Sequence, residues 1–149
     1  MNLTTAQTII RSEMHAHGLT QTGWRFEWDR AKNRNGQCRY ADRVISLSAP
    51  RTQLRDEAWV RMTIIHEIAH ALVGPGYGHG HIWKAKFRSL GGDGARCSSD
   101  AIDREALSKY AIKCSVDLRT LGHVNRKGKR LATSVCKCHM APLKWVTLR

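Results

Sequence analysis

The stretch TIIHEIAHALVGPGYGHGHIWKAKF, residues 63–87, contains four of the eight histidines in the chain. His66 and His70 are four positions apart, and Glu67 directly follows the first of them. Because residues four apart lie on one face of an α-helix, these two imidazoles can bind one metal ion. Glu67 then flanks the ligands, where its carboxylate can accept a proton from a water molecule at the metal. The motif therefore predicts a catalytic metal site rather than a buried helix that happens to carry two histidines.

Residues 53–73 are predicted to form the helix that carries this motif, because apolar residues recur at intervals of three and four. The side chains expected to face inward are Leu54, Ala58, Met62, Ile65, Ala69 and Leu72. Three glycines and a proline in residues 74–78 end this helix. A second helix is predicted over residues 81–90, with Ile82, Trp83, Phe87 and Leu90 facing inward.

A catalytic zinc site needs a third protein ligand and keeps a fourth position open for water. His79 and His81 are the candidates, since the glycine-rich turn can fold the chain back beside the first helix. Two residues apart on a helix, they would diverge by about 200°, so at most one can face the ion. His79 is preferred because it lies at the mouth of the second helix. Zinc is the first choice of metal for an imidazole-rich site.

The remainder of the first 107 residues predicts an α+β fold. An N-terminal helix that ends at Gly18 is expected to bury Leu3, Ala6, Ile9, Ile10 and Met14. Trp24, Phe26 and Trp28 alternate with charged residues, which indicates a strand with one buried face. The segments QCRY and RVISLS read as two further strands, so we expect a small antiparallel sheet of about three strands.

The chain has 149 residues and a formal net charge of +13, an excess that suggests an anionic partner such as DNA. Residues 108–149 carry ten Lys and Arg against a single acid, Asp117. We expect this tail to bind DNA, single-stranded or without sequence preference, through phosphate contacts. The residues predicted to make these contacts are Arg126, Lys127, Lys129 and Arg130. Tyr110 and Trp145 are candidates for stacking on unpaired bases.

The chain has five cysteines, Cys38, Cys97, Cys114, Cys136 and Cys138. The N-terminus does not read as a secretory signal, and no apolar run approaches the roughly 20 residues that span a bilayer. The sequence therefore predicts a soluble protein of the reducing cytoplasm, without membrane contact, in which clustered cysteines bind metal more often than they form disulfides. Cys38 and Cys97 are interpreted as residues without a special role.

The region from Trp24 to about Gly92 resembles the SprT-like family, to which the Spartan type of DNA-dependent metalloproteases belongs. The resemblance is carried by GQC and RVISLS, then HEIAH, then GHGHIW. It implies a zincin-like minimal metalloprotease domain with His66, His70 and His79 as zinc ligands and Glu67 as the catalytic glutamate. Many relatives have proline where this chain has His81.

Many SprT-like proteins end in a zinc ribbon, and residues 108–149 are interpreted as a degenerate, β-rich version of it, separate from a metalloprotease domain over residues 1–107. Three short β-rich pieces are expected there: YAIKCSV, RLATSVC and LKWVTL. Cys114 and Asp117 with Cys136 and His139 keep the ribbon spacing. A set of Cys114, Cys136 and Cys138 with His123 or His139 is equally compatible with a second, structural zinc ion. The alternative is a metal-free ribbon with a small core of Val116, Leu131, Val135, Leu143 and Trp145.

These features together predict a zinc metalloendopeptidase that the basic tail recruits to DNA and that cuts DNA-bound proteins of unknown identity. The second electrophile that a scissile carbonyl needs is not identified, with His81, Tyr77 and Arg96 as candidates. One alternative is a non-catalytic nucleic-acid-binding protein with a structural metal. Another is a peptidase of one soluble regulator, whose positive charge is incidental.

Overall fold

A computed structural model describes residues 1–95, 101–128 and 133–149, without the side chains of residues 101–103. The chain forms two compact units, residues 1–99 and residues 100–149, called here the first and second units. The predicted domain boundary between residues 107 and 108 stays a prediction. Within the described ranges, no helix is both long and apolar enough to cross a membrane.

The first unit is a mixed α+β structure. Its elements are α1 (Leu3–Ala16), β1 (Arg25–Asp29), β2 (Gly36–Arg39), β3 (Val44–Ser48), α2 (Ala49–Thr52), α3 (Glu57–Val73) and α4 (His81–Ser89). The α1 helix begins where the Asn2 side chain accepts a hydrogen bond from the Thr4 amide at 2.7 Å. It buries Ala6, Ile9, Ile10 and Met14, as predicted, whereas Leu3 of the predicted set is half-buried.

The sheet of the first unit has the strand order β1-β3-β2, with β3 fully buried at its centre. β2 and β3 are antiparallel, but β1 and β3 are parallel, so the prediction of an antiparallel sheet was wrong. The chain reverses between β2 and β3 through a turn in which Arg43 has φ 51°. It then re-enters the sheet alongside β1 and in the same direction. Alternation of polar and apolar residues reports which face of a strand is buried, and at a half-buried face it does not fix the direction of the neighbouring strand.

The α3 helix begins later than predicted, because Asp56 caps it by accepting a hydrogen bond from the Trp59 amide at 2.8 Å. Its burial also differs from the predicted stripe. Val60, Ile64 and Ile68 pack into the main core with α1 and β3. Of the predicted inward set, Ala69 is buried, Met62 and Ile65 are half-buried, and Leu54, Ala58 and Leu72 are exposed.

A second, smaller core lies between α3 and α4. It consists of Ala69, Trp83 and Phe87, with partly buried neighbours that include Met62 and Ile65. Because α3 is packed on two sides, it is apolar around most of its circumference. Its sequence therefore does not show one distinct hydrophobic face, which is the pattern from which the inward-facing residues were predicted. Ile82 was predicted to face inward and is instead 41% exposed.

The second unit contains α5 (Ala101–Leu107) and a sheet of β4 (Tyr110–Cys114), β5 (Thr120–Val124) and β6 (Leu143–Thr147). The sheet is antiparallel with the order β5-β4-β6. Two predicted strands appear as β4 and β6, whereas α5 and β5 were not predicted. The piece RLATSVC contributes only an isolated bridge at Val135 in its described part.

The predicted core of the second unit was wrong in two members. Val116 is 62% exposed and Val135 is 46% exposed. Leu131 lies outside the described residues. Among the described residues of this unit, the buried apolar positions are instead Leu107, Ala111, Cys114 and Cys136. Two cysteines thus occupy the interior of this small unit.

Candidate metal centre

The three histidines of the opening motif converge on one point. The Nε2 atom of His79 lies 3.1 Å from Nε2 of His66 and 3.1 Å from Nε2 of His70. His66 and His70 project from successive turns of α3, and His79 lies in the loop that precedes α4. Gly76 and Gly78 have φ values of 93° and 50°, a backbone region that favours glycine and that lets this short loop turn back.

This arrangement fits a tetrahedral metal ion. Zinc–nitrogen bonds of about 2.0–2.1 Å at tetrahedral angles place two ligand nitrogens about 3.3 Å apart, close to the distances found here. A ligating imidazole must be neutral. Burial, and after it the neighbouring His79, lowers the pKa of His70 to about 4, so its nitrogen lone pair is available at neutral pH.

Aromatic rings support the histidines from the side of α4. Trp83 is fully buried and stacks on His70 with ring centroids 5.1 Å apart and an interplanar angle of 28°. It also meets His66 and His79 edge to face, each at 4.6 Å. Phe87 stacks on Trp83 at 4.8 Å and also meets the His66 ring edge to face at 5.4 Å. This apolar packing restricts the imidazole rotamers and supports the ligand geometry.

Glu67 lies beside the histidines and is held by β2. It is buried to 7% exposure, and its carboxylate accepts a hydrogen bond from the Cys38 backbone amide. Burial raises the pKa of Glu67 to about 8, against opposing contributions led by Arg34. A cation on the neighbouring imidazoles would favour the ionised carboxylate, since an opposite charge a few ångströms away lowers the pKa of an acid.

The hydrogen-bonding pattern of β2 explains why its Cys38 amide is available to Glu67. The Ser48 amide donates to the Asn35 carbonyl at 2.8 Å. This bond fixes which residue pairs of β2 and β3 are hydrogen-bonded to each other and which are not. Gln37 and Arg39 therefore bond to β3, whereas Gly36 and Cys38 direct their N–H and C=O groups away from it. The outer edge of β2 faces α3, and one of its amides holds Glu67.

A cavity of about 380 Å³ lies in front of the histidines and Glu67. Its strand side consists of Gly36, Gln37, Cys38 and Tyr40, and its loop side of Gly76, Gly78 and His79. This volume is within the usual range for ligand sites. The metal-binding groups and the carboxylate therefore face a space that can admit part of a substrate.

Gly36 is required for the close approach of β2 to Glu67. A Cβ atom at this position would lie 2.9 Å from Cγ and Oε1 of Glu67 and 2.9 Å from Cδ2 of Leu47. Real Cβ contacts are essentially never this short, so either the carboxylate or the strand must move.

We therefore expect Gly36→Ala to lower the free energy of unfolding by about 1–3 kcal/mol, as overpacking of a well-packed site does. Chemical denaturation of the metal-free protein measures this change. Gly128→Ala is the matched control, because a Cβ atom there meets nothing within 4 Å. Equal stability of Gly36→Ala and Gly128→Ala would contradict the packing described here.

Sequence reasoning did not identify Gly36, Cys38 or Tyr40 as part of the site. Gly36 and Cys38 alternate along β2, and Tyr40 comes two positions later, directly after the strand. That spacing is the signal that could have grouped them. The candidates for the second electrophile are placed elsewhere. Tyr77 is 47% exposed, and neither it nor His81 belongs to the described lining of the cavity. Arg96 lies outside the described residues.

A second cluster of ligating atoms lies in the second unit. One ligand atom from each of Cys114, Cys136, Cys138 and His139 falls within 4.8 Å of all the others. Sγ of Cys114 is 3.4 Å from Sγ of Cys136 and 3.5 Å from Nδ1 of His139. Zinc bonds of about 2.3 Å to sulfur and 2.0–2.1 Å to nitrogen imply tetrahedral separations of roughly 3.6–3.8 Å. His123, the alternative ligand, lies on β5 and is not part of this group.

The two cysteine turns share one geometry. In each, the cysteine amide donates to the carbonyl five residues later, from Cys114 to Arg119 at 3.1 Å and from Cys136 to Ala141 at 2.8 Å. The fourth residue after each cysteine has positive φ, 58° at Leu118 and 49° at Met140. These turns place Asp117 and His139 at equivalent positions.

Asp117 lies at the edge of the second cluster. Its Oδ2 atom is 3.9 Å from Nδ1 of His139. It also accepts a hydrogen bond from the Arg119 amide at 3.1 Å. Asp117 is not part of the group of four ligating side chains, so of the predicted sets the structure brings together Cys114, Cys136 and Cys138 with His139, and Asp117 lies beside them.

Two of the four predicted nucleic-acid-binding residues are described. Arg126 and Lys127 are exposed after β5, and Nζ of Lys127 lies 5.0 Å from the centre of the Tyr110 ring. Tyr110 in turn meets Trp145 edge to face at 6.0 Å. Lys129 and Arg130 lie outside the described residues.

Comparison with known proteins yields one positive finding. Residues 6–102 match the sequence model of the SprT-like family, which covers about two thirds of the chain. No curated protein and no solved structure matches the chain. The match spans α1 from Ala6 onward, the first sheet, the histidine cluster and Glu67. The chain belongs to the SprT-like family.

Proposed function

We propose that this protein is a zinc-dependent endopeptidase that acts on proteins bound to DNA. The observation that carries the proposal is the convergence of three Nε2 atoms beside a buried carboxylate at one wall of a cavity. A structural zinc site is normally closed by four protein ligands. Of the described residues, only three ligating side chains form this group, which suits a site with one position open to solvent.

The residues that would hold the metal are His66, His70 and His79. Zinc bound there acidifies a water molecule and polarises a carbonyl group. Glu67 accepts one proton from the attacking water while the oxygen of that water forms a bond to the carbonyl carbon. When the C–N bond breaks, Glu67 returns that proton to the departing amine, so the carboxylate is regenerated and no other reactant is consumed.

The edge of β2 offers a way to align a substrate. Gly36 directs its N–H and C=O groups away from β3 and lines the cavity. An extended peptide can add to such an edge through main-chain hydrogen bonds, which select for backbone and not for sequence. Because the Cys38 amide of the same edge holds Glu67, a peptide paired here would lie next to the carboxylate.

One face of the second sheet supports recruitment to single-stranded DNA. By strand pairing, Tyr110, Ile112 and Trp145 share this face. The two aromatic residues are half-buried, and Lys127 covers part of the Tyr110 ring. Aromatic rings beside cations bind single strands by stacking and phosphate contact, largely without sequence preference.

The experiment that tests the proposed function is cleavage of a DNA-binding protein by the purified, zinc-loaded chain. We expect fragments in the presence of single-stranded DNA and fewer without it. Addition of a chelator should stop the reaction. Absence of cleavage of any protein under these conditions would contradict the peptidase proposal, whereas equal cleavage with and without DNA would contradict the DNA-directed part alone.

The double variant Arg126→Gln, Lys127→Gln should weaken binding to single-stranded DNA. Each cation that no longer neutralises a phosphate lowers the slope of log K against log salt by about 0.7, so the slope should fall by about 1.4. Fluorescence anisotropy of a labelled oligonucleotide across salt concentrations measures this. Lys84→Gln, Lys86→Gln in α4 removes the same charge from the first unit and should leave most of the slope unchanged. A larger loss of slope in Lys84→Gln, Lys86→Gln than in Arg126→Gln, Lys127→Gln would place the DNA site on the first unit.

A further inference from the structure

The proposed reaction places negative charge on the oxygen of the scissile carbonyl, and that oxygen benefits from a hydrogen-bond donor besides the metal. Of the three candidates from the sequence, Tyr77 and His81 are not among the described residues that line the cavity, and Arg96 lies outside the described residues. His81 instead lines a separate groove with Val73 and Ile82. Another part of the described wall offers a donor.

Tyr40 is the aromatic hydroxyl that the described cavity lining contains. It directly follows β2 and continues the row of Gly36 and Cys38, which faces the metal-binding histidines across the cavity. Because side chains alternate along a strand, Gly36 and Cys38 share one side of β2, and Tyr40 begins the turn that follows and lines the same cavity. Gly36 touches Glu67 at this wall, so Tyr40 approaches the site from the direction of the carboxylate.

The Tyr40 ring is anchored. It meets Trp24 edge to face, with centroids 6.2 Å apart and an interplanar angle of 83°. Trp24 in turn packs against the main core of α1, β3 and α3. A donor on an anchored ring has little freedom to lose when it binds a developing charge, which is the property that electrostatic preorganisation requires.

The Tyr40 hydroxyl lies within hydrogen-bonding reach of the Cys38 thiol, whose sulfur can accept the hydroxyl proton in a hydrogen bond. Sulfur is a weak acceptor, so an oxygen that gains negative charge nearby competes well for the same proton. Burial raises the pKa of Tyr40 to about 12, which keeps the hydroxyl protonated at neutral pH.

We propose that Tyr40 is a catalytic residue whose hydroxyl donates a hydrogen bond to the scissile carbonyl oxygen as that oxygen becomes negative. This inference rests on the proposed peptidase function. The Tyr40 proton is shared and not transferred, since Glu67 carries the only proton that moves from the water to the leaving amine. When the carbonyl re-forms, the hydroxyl returns to the Cys38 sulfur.

The test compares steady-state kinetics of the zinc-loaded full chain and its Tyr40→Phe variant on one peptide substrate. We expect kcat to fall about 100-fold, the usual effect of removing one such donor, with KM within about twofold. Zinc content and thermal midpoint should not change, because the ring remains. Tyr77→Phe is the matched control and should retain full activity. Tyr40→His restores a ring donor and should recover part of kcat.

The affinity for a phosphinic peptide distinguishes a catalytic role of Tyr40 from a purely structural one, because a structural role would leave this affinity unchanged. The tetrahedral anionic group of the peptide imitates the intermediate, so the peptide should bind Tyr40→Phe about 100-fold more weakly than the unaltered chain. A Tyr40→Phe variant with undiminished kcat, or with a change in KM alone, would overturn the role of Tyr40. An unaltered chain that cleaves no peptide would instead overturn the proposed function, and the inference with it.

Discussion

Glu67→Gln should reduce peptide hydrolysis by about 10²–10⁴-fold, the range contributed by a positioned general base. The amide has nearly the same shape and can still accept the hydrogen bond from the Cys38 amide, but it cannot accept a proton at neutral pH. We therefore expect unchanged zinc content and an unchanged or raised thermal midpoint, since a buried ionisable group is replaced by a neutral one. Initial rates on a fluorogenic peptide, together with metal analysis of the same sample, measure both effects.

Glu57→Gln is the matched control for this substitution. Glu57 lies in the first turn of the same helix, is exposed, and pairs with Arg61 at 2.8 Å. Surface pairs of this kind contribute little, so activity should be retained. Hydrolysis that persists in Glu67→Gln and is still abolished by a chelator would show that another group accepts the proton.

His79→Ala should remove the metal from the first unit and abolish hydrolysis with it. Changes in groups that only orient a ligand already cost about 10–100-fold in metal affinity, so the removal of a ligand itself should cost more than 100-fold. If both clusters bind zinc, the content should fall from about two ions per chain to about one. Competition with a chromophoric chelator measures the affinity that remains.

His81→Ala is the control for His79→Ala. The two histidines are two positions apart, but His81 is exposed as the first residue of α4 and lines a different groove. Its replacement should leave zinc content and activity near their original values. Retention of metal in His79→Ala, combined with its disappearance in His81→Ala, would show that His81 is the third ligand.

The parts of the site that follow from local geometry were predictable from the sequence. His66 and His70 lie on one helical face because four residues make about one turn, and this spacing is readable without tertiary contacts. The position of His79 does not follow from helix periodicity, because it depends on a loop that turns back within eight residues. The glycines at 76 and 78 signalled such a turn, and the resemblance to SprT-like proteins selected the same histidine.

The parts that depend on contacts distant in sequence were not predictable. Glu67 is held by the Cys38 amide from a strand about thirty positions away, and no pattern in either segment records that contact. The parallel pairing of β1 with β3 is similarly hidden, because alternation is the same in parallel and antiparallel strands at a half-buried face. The predicted stripe on α3 was wrong because that helix packs on two sides, towards the core and towards Trp83.

The second unit illustrates a different difficulty. Its interior contains cysteines, so hydrophobic patterning alone pointed to Val116 and Val135, which are exposed. The paired turns around Cys114 and Cys136 are fixed by backbone hydrogen bonds and by two non-glycine residues with positive φ. The cysteine spacing indicated a metal cluster there, but it did not distinguish the ligands of one set from those of the other.

The most direct measurement of the central claim is an anomalous difference map from crystals of the zinc-loaded protein, recorded at the zinc absorption edge. We expect a peak about 2.0–2.1 Å from Nε2 of His66, His70 and His79, with the Glu67 carboxylate beside it and not bound as a fourth protein ligand. A folded protein whose only zinc peak lies at the cysteine cluster of the second unit would contradict the account.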